Sequence, residues 1–134
     1  MAFWLVKSDP DEYGFADLER DRRTTWDGVA NQLALQHLRR VRRGDQVLIY
    51  HTGPEKAIVG LGLAVSDGYA DPVEAAGKLV VFDLQAVRRL ARPVTLAELK
   101  ADAEFSEFEL VRMPRLSVMP VPAALFQRIL AMSA

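Results

Sequence analysis

The chain has 134 residues, half of them hydrophobic, with 17 basic and 18 acidic side chains and a formal net charge of −1. This is one ordinary domain with a packed core; it is neither a disordered chain nor a strongly basic one built around a nucleic-acid footprint. Cysteine is absent, so disulfides and thiolate metal sites are excluded, and no apolar stretch reaches the length that spans a bilayer.

Phe3-Trp4-Leu5-Val6 is a run of strand formers stopped by Ser8-Asp9-Pro10. Tyr13 to Leu18 reads as a short helical turn anchored by Phe15 and Leu18. A polar stretch, Arg22 to Thr25, leads to Trp26 and the turn Asp27-Gly28. From Asn31 to Val41 the residues Ala34, Leu38 and Val41 recur at helical spacing. Asn31 is the expected N-cap and Gly44 the expected C-terminal stop, with arginines of the last turn opposing the helix dipole. Gln46 to Tyr50 and Ala57 to Val65 read as a hairpin joined by Gly53-Pro54-Glu55-Lys56. Gly60 and Gly62 share a face of its second strand, which predicts curvature of the sheet in preference to a ligand site.

Asp67 to Gly77 is a polar loop, and Leu79 to Val87 is a strand with Phe82, Leu84 and Ala86 on one face. Thr95-Leu96-Ala97-Glu98 matches a capping box for a short helix through Leu99, and Ser106-Glu107-Phe108-Glu109 repeats the signal. Arg115 to Met119 reads as a last strand. Pro122 fits the first turn of a terminal helix with stripe pairs Leu125/Ile129 and Phe126/Leu130. There is no regular βαβ alternation and no glycine-rich phosphate loop, so a doubly wound nucleotide fold is disfavoured. An α+β domain is expected: a curled, mainly antiparallel, barrel-like sheet with short helices around it.

The two histidines, His37 and His51, lack ligand spacing, so no metal site is expected. Ser8, His51 and Asp27 are the parts of a hydrolytic triad, but no nucleophile-elbow glycines surround Ser8. Arginine supplies 13 of the 17 cations, with a cluster at Arg39-Arg40-Val41-Arg42-Arg43 and another at Arg88, Arg89 and Arg92. Their plain reading is solvated element ends; a phosphate-tracking stripe requires them on one face. Trp26, Asp27, Gly28, Val29 and Asn31, with Lys7 and Ser8 ahead of them, form the most informative group. Singly, each has a structural reading: Trp26 closing the core, Asp27 bonding its own turn, Asn31 and Ser8 capping, Lys7 at a strand end, Tyr50 and His51 at the core edge. Together they supply an aromatic face, a hydroxyl, an amide, a carboxylate and a cation at the ends of short elements. Those are the parts of a slot for a flat heterocycle, such as a base taken out of a nucleic-acid stack.

Several separated blocks occur in the order seen in EVE domain proteins. They are Phe3-Trp4-Leu5-Val6-Lys7-Ser8-Asp9-Pro10, Thr25-Trp26-Asp27-Gly28-Val29-Ala30-Asn31, Tyr50-His51-Thr52, Ile58-Val59-Gly60 and Arg115-Leu116-Ser117-Val118-Met119-Pro120-Val121. The opening strand and Trp26 also resemble the corresponding parts of YTH domains. The resemblance implies a PUA-like fold, a pseudo-barrel with flanking helices, and a pocket for a modified nucleobase: modified cytosine in DNA, or a modified RNA base. By position, Trp26 is a pocket wall. Lys7, Ser8, Asp27, Gly28, Val29, Asn31, Tyr50, His51 and Thr52 line the pocket or hold its shape, with Arg115 and Ser117 nearby. Relatives commonly carry arginine in place of Ala30 and an Arg-Asn pair in place of Leu35-Gln36, so strand contacts made by those groups are missing here.

These readings combine into one expectation: a non-catalytic, monomeric, cytoplasmic reader of a modified base, with nucleic acid as partner, no cofactor and no membrane. The enzyme alternative is hydrolysis of a modified nucleobase or nucleoside using Ser8, Lys7 and His51. A protein-interaction module is the third reading, and it requires a large exposed apolar patch.

Overall fold

Long apolar runs in this chain become strands covered on both faces. In the computed structural model, which describes all 134 residues, β1 is Phe3–Ser8, β3 Gln46–His51 and β4 Ala57–Ala64. Leu48, Ile58 and Val6 on these strands have no solvent-exposed surface. Two further strands are β2, Arg23–Trp26, and β6, Val80–Thr95. The short strands β5, Tyr69–Ala70, and β7, Val118–Pro120, complete the set. The sheet runs β2-β6-β4-β3-β1-β7, with β5 on β6. All pairings are antiparallel except β1 with β3, where Phe3 lies opposite Gln46 and Ser8 opposite His51. The result is a mixed sheet curled into a half-barrel.

Helices pack around it. Asp9 caps α1, Pro10–Tyr13, and Gly14 separates it from α2, Phe15–Asp21. Asn31 caps α3, Gln32–Arg40, its carboxamide oxygen accepting from the Ala34 amide at 3.0 Å. The Thr95/Glu98 capping box opens α4, Leu96–Lys100. α5 spans Glu109–Arg112 and α6 spans Ala123–Met132.

Several expectations need correction. The polar stretch before Trp26 is the strand β2; its outward side chains are polar because it is the edge of the sheet. β6 continues eight residues beyond Val87, to Thr95, because Arg88 and Arg89 still pair with Leu61 and Gly60 of β4. α3 ends at Val41, which turns to extended geometry, and Gly44 instead serves a left-handed turn into β3 with φ +96°. Ser106 does not open a helix: it closes a 3-10 turn, Ala103–Phe105, and α5 starts after Phe108.

The paired glycines of β4 do more than permit curvature. Ladder irregularities fall beside both of them, as a bending strand requires. A Cβ on Gly60 would also lie 2.3 Å from the Phe15 ring, and one on Gly62 would lie 2.8 Å from Leu84. Phe15, fully buried, therefore seats α2 directly on the backbone of β4. Gly60→Ala is expected to destabilise the fold by about 1–3 kcal/mol through this overlap. A urea midpoint unchanged by the substitution would contradict the packing.

The N-terminal end of the core is closed by a buried polar cluster. The Asp45 carboxylate, 4 % exposed, accepts from Trp4 Nε1 at 2.8 Å, the Ala2 amide at 3.0 Å and the Arg42 amide at 2.9 Å.

Candidate functional site

Three distant segments meet at the C-terminal end of β1. Lys7 and Ser8 end that strand, Asp9 caps α1, and Glu12 and Tyr13 follow on it. Thr24 to Val29 arrive on β2 and its turn, and Ser117 precedes β7. Together they line a cleft of about 430 Å³. Local bonds explain the convergence. β7 pairs with β1, and the Lys7 amide donates to the Ser117 carbonyl at 2.9 Å, which brings Ser117 beside the strand end. The Ser8 hydroxyl donates to the Tyr13 carbonyl and pins the end of α1. Gly28 turns the chain after Trp26 with φ +77°, a conformation that favours glycine.

Trp26 has two jobs. It pairs with Phe82 across β2 and β6 and is 8 % exposed, so most of the indole belongs to the core. Its remaining surface borders the cleft, where Tyr13 stands edge-on at 6.4 Å with an interplanar angle of 80°. The Tyr13 hydroxyl donates to Asp21 at 2.9 Å, which fixes the ring; burial is the main cause raising its pKa.

Charge in the cleft is mixed. Lys7 is half-buried, and burial holds its ammonium below the usual lysine range. It donates to the Pro114 carbonyl at 2.8 Å and lies 5.7 Å from the Tyr50 ring centroid. An ammonium has three donors, so that bond leaves two for a guest. Asp9, Glu12 and Asp27 place carboxylates along the exposed rim. Chemically, the cleft offers a cation and a hydroxyl as donors, a carboxylate as acceptor, and the edge of a fixed aromatic pair.

Of the candidate residues, Lys7, Ser8, Trp26, Asp27, Gly28, Val29 and Ser117 come together as lining. The others lie outside it. Asn31 is spent on capping α3. Tyr50 is buried opposite Lys7 across the parallel ladder, and burial raises the pKa of its hydroxyl. Thr52 donates its amide to the Ser8 carbonyl at 2.9 Å, fastening β1 to the end of β3. Arg115 is exposed, on the segment after Pro114.

His51 is buried, and its Nε2 accepts from the Phe15 amide at 3.0 Å. The ring proton therefore sits on Nδ1, 2.7 Å from the Glu55 carboxylate. Both imidazole nitrogens and the Ser8 hydroxyl proton are thus engaged elsewhere, and the Ser8–His51 pair of a hydrolase is not assembled.

Sequence reasoning passed over Asp9, Glu12, Tyr13, Thr24 and Thr25 as site residues. Asp9-Pro10 is a cap followed by an N1 proline, the signal for a helix ending at Tyr13. Thr24-Thr25-Trp26 is a run of strand formers hidden behind two arginines. No group of three or more histidine or acidic side chains is arranged to hold a metal ion, and no helix is long and apolar enough to cross a membrane.

The EVE domain sequence profile matches residues 2–132. A solved structure of a Rhodopseudomonas palustris protein is 36% identical, with a TM-score of 0.94 over 99% of this chain and 93% of its own. Thymocyte nuclear protein 1 of Danio rerio is 29% identical over 96% of this chain and 71% of its length. Human THYN1, crystallised in complex with 5-methylcytosine-containing DNA, is 26% identical with a TM-score of 0.89, covering 99% of this chain and 98% of that one. The half-barrel with short peripheral helices is the PUA-like fold of these proteins. The Danio rerio and human relatives bear the name thymocyte nuclear protein 1, which points to the nucleus for those proteins and not to the cytoplasm expected above. With the profile spanning nearly every residue and the fold match extending over 99% of the chain, this protein belongs to the EVE domain family.

Proposed function

We propose that the protein reads a modified cytosine in DNA, seating the extruded base in the cleft beside Trp26 and Tyr13 without catalysing a reaction on it. The observation that carries this is the donor and acceptor set beside the aromatic pair. Cytosine presents an amino donor at C4 and acceptors at N3 and O2. In this reading the Asp27 carboxylate accepts from the amino group, while Lys7 and Ser117 donate to the acceptor side. Tyr50, His51 and Thr52 hold the end of β1 from behind. The DNA-bound human relative supports the ligand class. The engagement of Ser8 and His51 within the fold supports binding over hydrolysis.

Titration with single-stranded oligonucleotides carrying one 5-methylcytosine, cytosine or thymine tests the reading. Burying the methyl group contributes about 0.8 kcal/mol, so the methylated base is expected to bind about fourfold more tightly than cytosine. Thymine turns a carbonyl toward Asp27 and is expected to bind roughly 5- to 150-fold more weakly than 5-methylcytosine, the cost of about 1–3 kcal/mol for an unpaired polar group. Asp27→Ala is expected to erase the preference against thymine. Equal affinity for all three oligonucleotides would sink the proposal.

A further inference from the structure

We propose that the strand carrying the seated base leaves the cleft along the open edge of β2, where Arg23 and Arg43 hold its phosphates and Arg22 and Arg88 extend the track. This rests on the nucleobase reading and adds the path of the backbone to it.

The arginines of this chain differ in how they are partnered. Arg20, Arg89, Arg92, Arg112 and Arg128 are in ion pairs with carboxylates. The other eight are in none of these pairs, and four of them, the exposed Arg22, Arg23, Arg43 and Arg88, border β2. Arg23 donates to the neutral Gln85 carboxamide at 3.0 Å, which leaves its charge uncompensated. These four gather on either side of one strand. Arg23 and Arg43 line a groove together with Thr24 and Thr25, and those two threonines also line the base cleft. Arg23 is shared in turn with a second groove that holds Arg22 and Arg88. The surface is thus continuous from Trp26 back along β2. At about 3.3 Å per strand residue, Arg23 lies about 10 Å from Trp26, within reach of a flanking nucleotide.

Charge sets the direction. Asp9, Glu12 and Asp27 on the rim of the cleft repel phosphates on that side. The carboxylates along β2 are largely occupied. Glu19 pairs with Arg89 and Asp21 with Arg20, whereas Asp83 accepts only from the neutral hydroxyls of Thr25 and Tyr69 and keeps its charge. Asp83 remains the one acid in the groove of Arg23 and Arg43, which leaves that groove with a surplus positive charge. β2 pairs only with β6, so its outer edge also presents free backbone amides as donors. A protein of net charge −1 thereby acquires a local cationic path. It needs no arginine at Ala30 or at Leu35, the latter being buried in the core.

The test compares Arg23→Gln/Arg43→Gln with Arg112→Gln/Arg128→Gln, which removes the same charge from paired guanidinium groups. Each is titrated with a single-stranded 5-methylcytosine oligonucleotide across a salt series and with free 5-methyl-2′-deoxycytidine. The first variant is expected to flatten the plot of log K against log salt by roughly 1.4, at roughly 0.7 for each phosphate no longer neutralised, with nucleoside binding unchanged. The control pair is expected to keep the wild-type slope. An unchanged slope in the first variant overturns the track while the base cleft stands. Loss of nucleoside binding in that variant also overturns it, by showing that the arginines shape the cleft. Failure of the wild-type chain to bind nucleoside or oligonucleotide removes both readings together.

Discussion

Trp26→Ala is expected to weaken binding of a 5-methylcytosine oligonucleotide by roughly 5- to 150-fold, the range given by about 1–3 kcal/mol for a base–aromatic contact. The same substitution is expected to cost about 3–5 kcal/mol of stability, since most of the indole fills the core between β2 and β6. The two losses must be separated, and Trp26→Phe separates them. Phenylalanine refills much of the volume and keeps an aromatic edge against Tyr13, but it offers the guest less surface. Its stability is expected to recover more fully than its affinity. Calorimetric titration well below the unfolding midpoint of each variant reads the affinity, and a urea unfolding curve of the same variant reads the stability. If Trp26→Phe and Trp26→Ala bind the oligonucleotide as tightly as the parent, the indole has no part in recognition and serves the core alone.

Asp45→Ala is expected to destabilise the protein by about 3–5 kcal/mol without altering nucleoside affinity in the folded state. The carboxylate accepts three hydrogen bonds from Trp4 Nε1, the Ala2 amide and the Arg42 amide. A hydrogen bond to a charged group contributes about 1.5–3 kcal/mol, and the buried indole donor would be left unpaired. Asp45→Asn retains one acceptor oxygen and presents a donor to the remaining N–H groups, so its loss is expected to be smaller. The site is spared because Trp4 and Lys7 lie three positions apart on β1, about 10 Å. Urea unfolding gives the order parent, Asp45→Asn, Asp45→Ala. Equal midpoints for all three would show that the cluster contributes nothing net.

The contrast between these two residues marks the reach of sequence against that of structure. Trp26 is conspicuous in sequence because of its neighbours Asp27 and Gly28, yet its share in the core depends on Phe82, far along the chain. Asp45 carries no sequence signal at all, since a lone aspartate beside a turn glycine looks solvated. Only the pairing of β1 with β3 brings the Trp4 indole onto it. Glu12 and Tyr13 escape sequence reasoning for a related reason: a four-residue helix leaves too little periodicity to read.

What the sequence determined by itself was local in origin. The capping of α3 by Asn31, the capping box at Thr95, the hairpin of β3 and β4, and the apolar stripe of α6 follow from side chains within a few residues of one another. The ordered blocks that mark the family were legible for the same reason. Tertiary structure decided the rest. Pairing alone made a strand of Arg23–Trp26 and carried β6 on to Thr95. Seating Phe15 on Gly60 placed α2, and bonding by the Phe15 amide and Glu55 turned both nitrogens of His51 away from Ser8. Such outcomes depend on groups tens of residues apart, whose energies exist only once the sheet has closed around them.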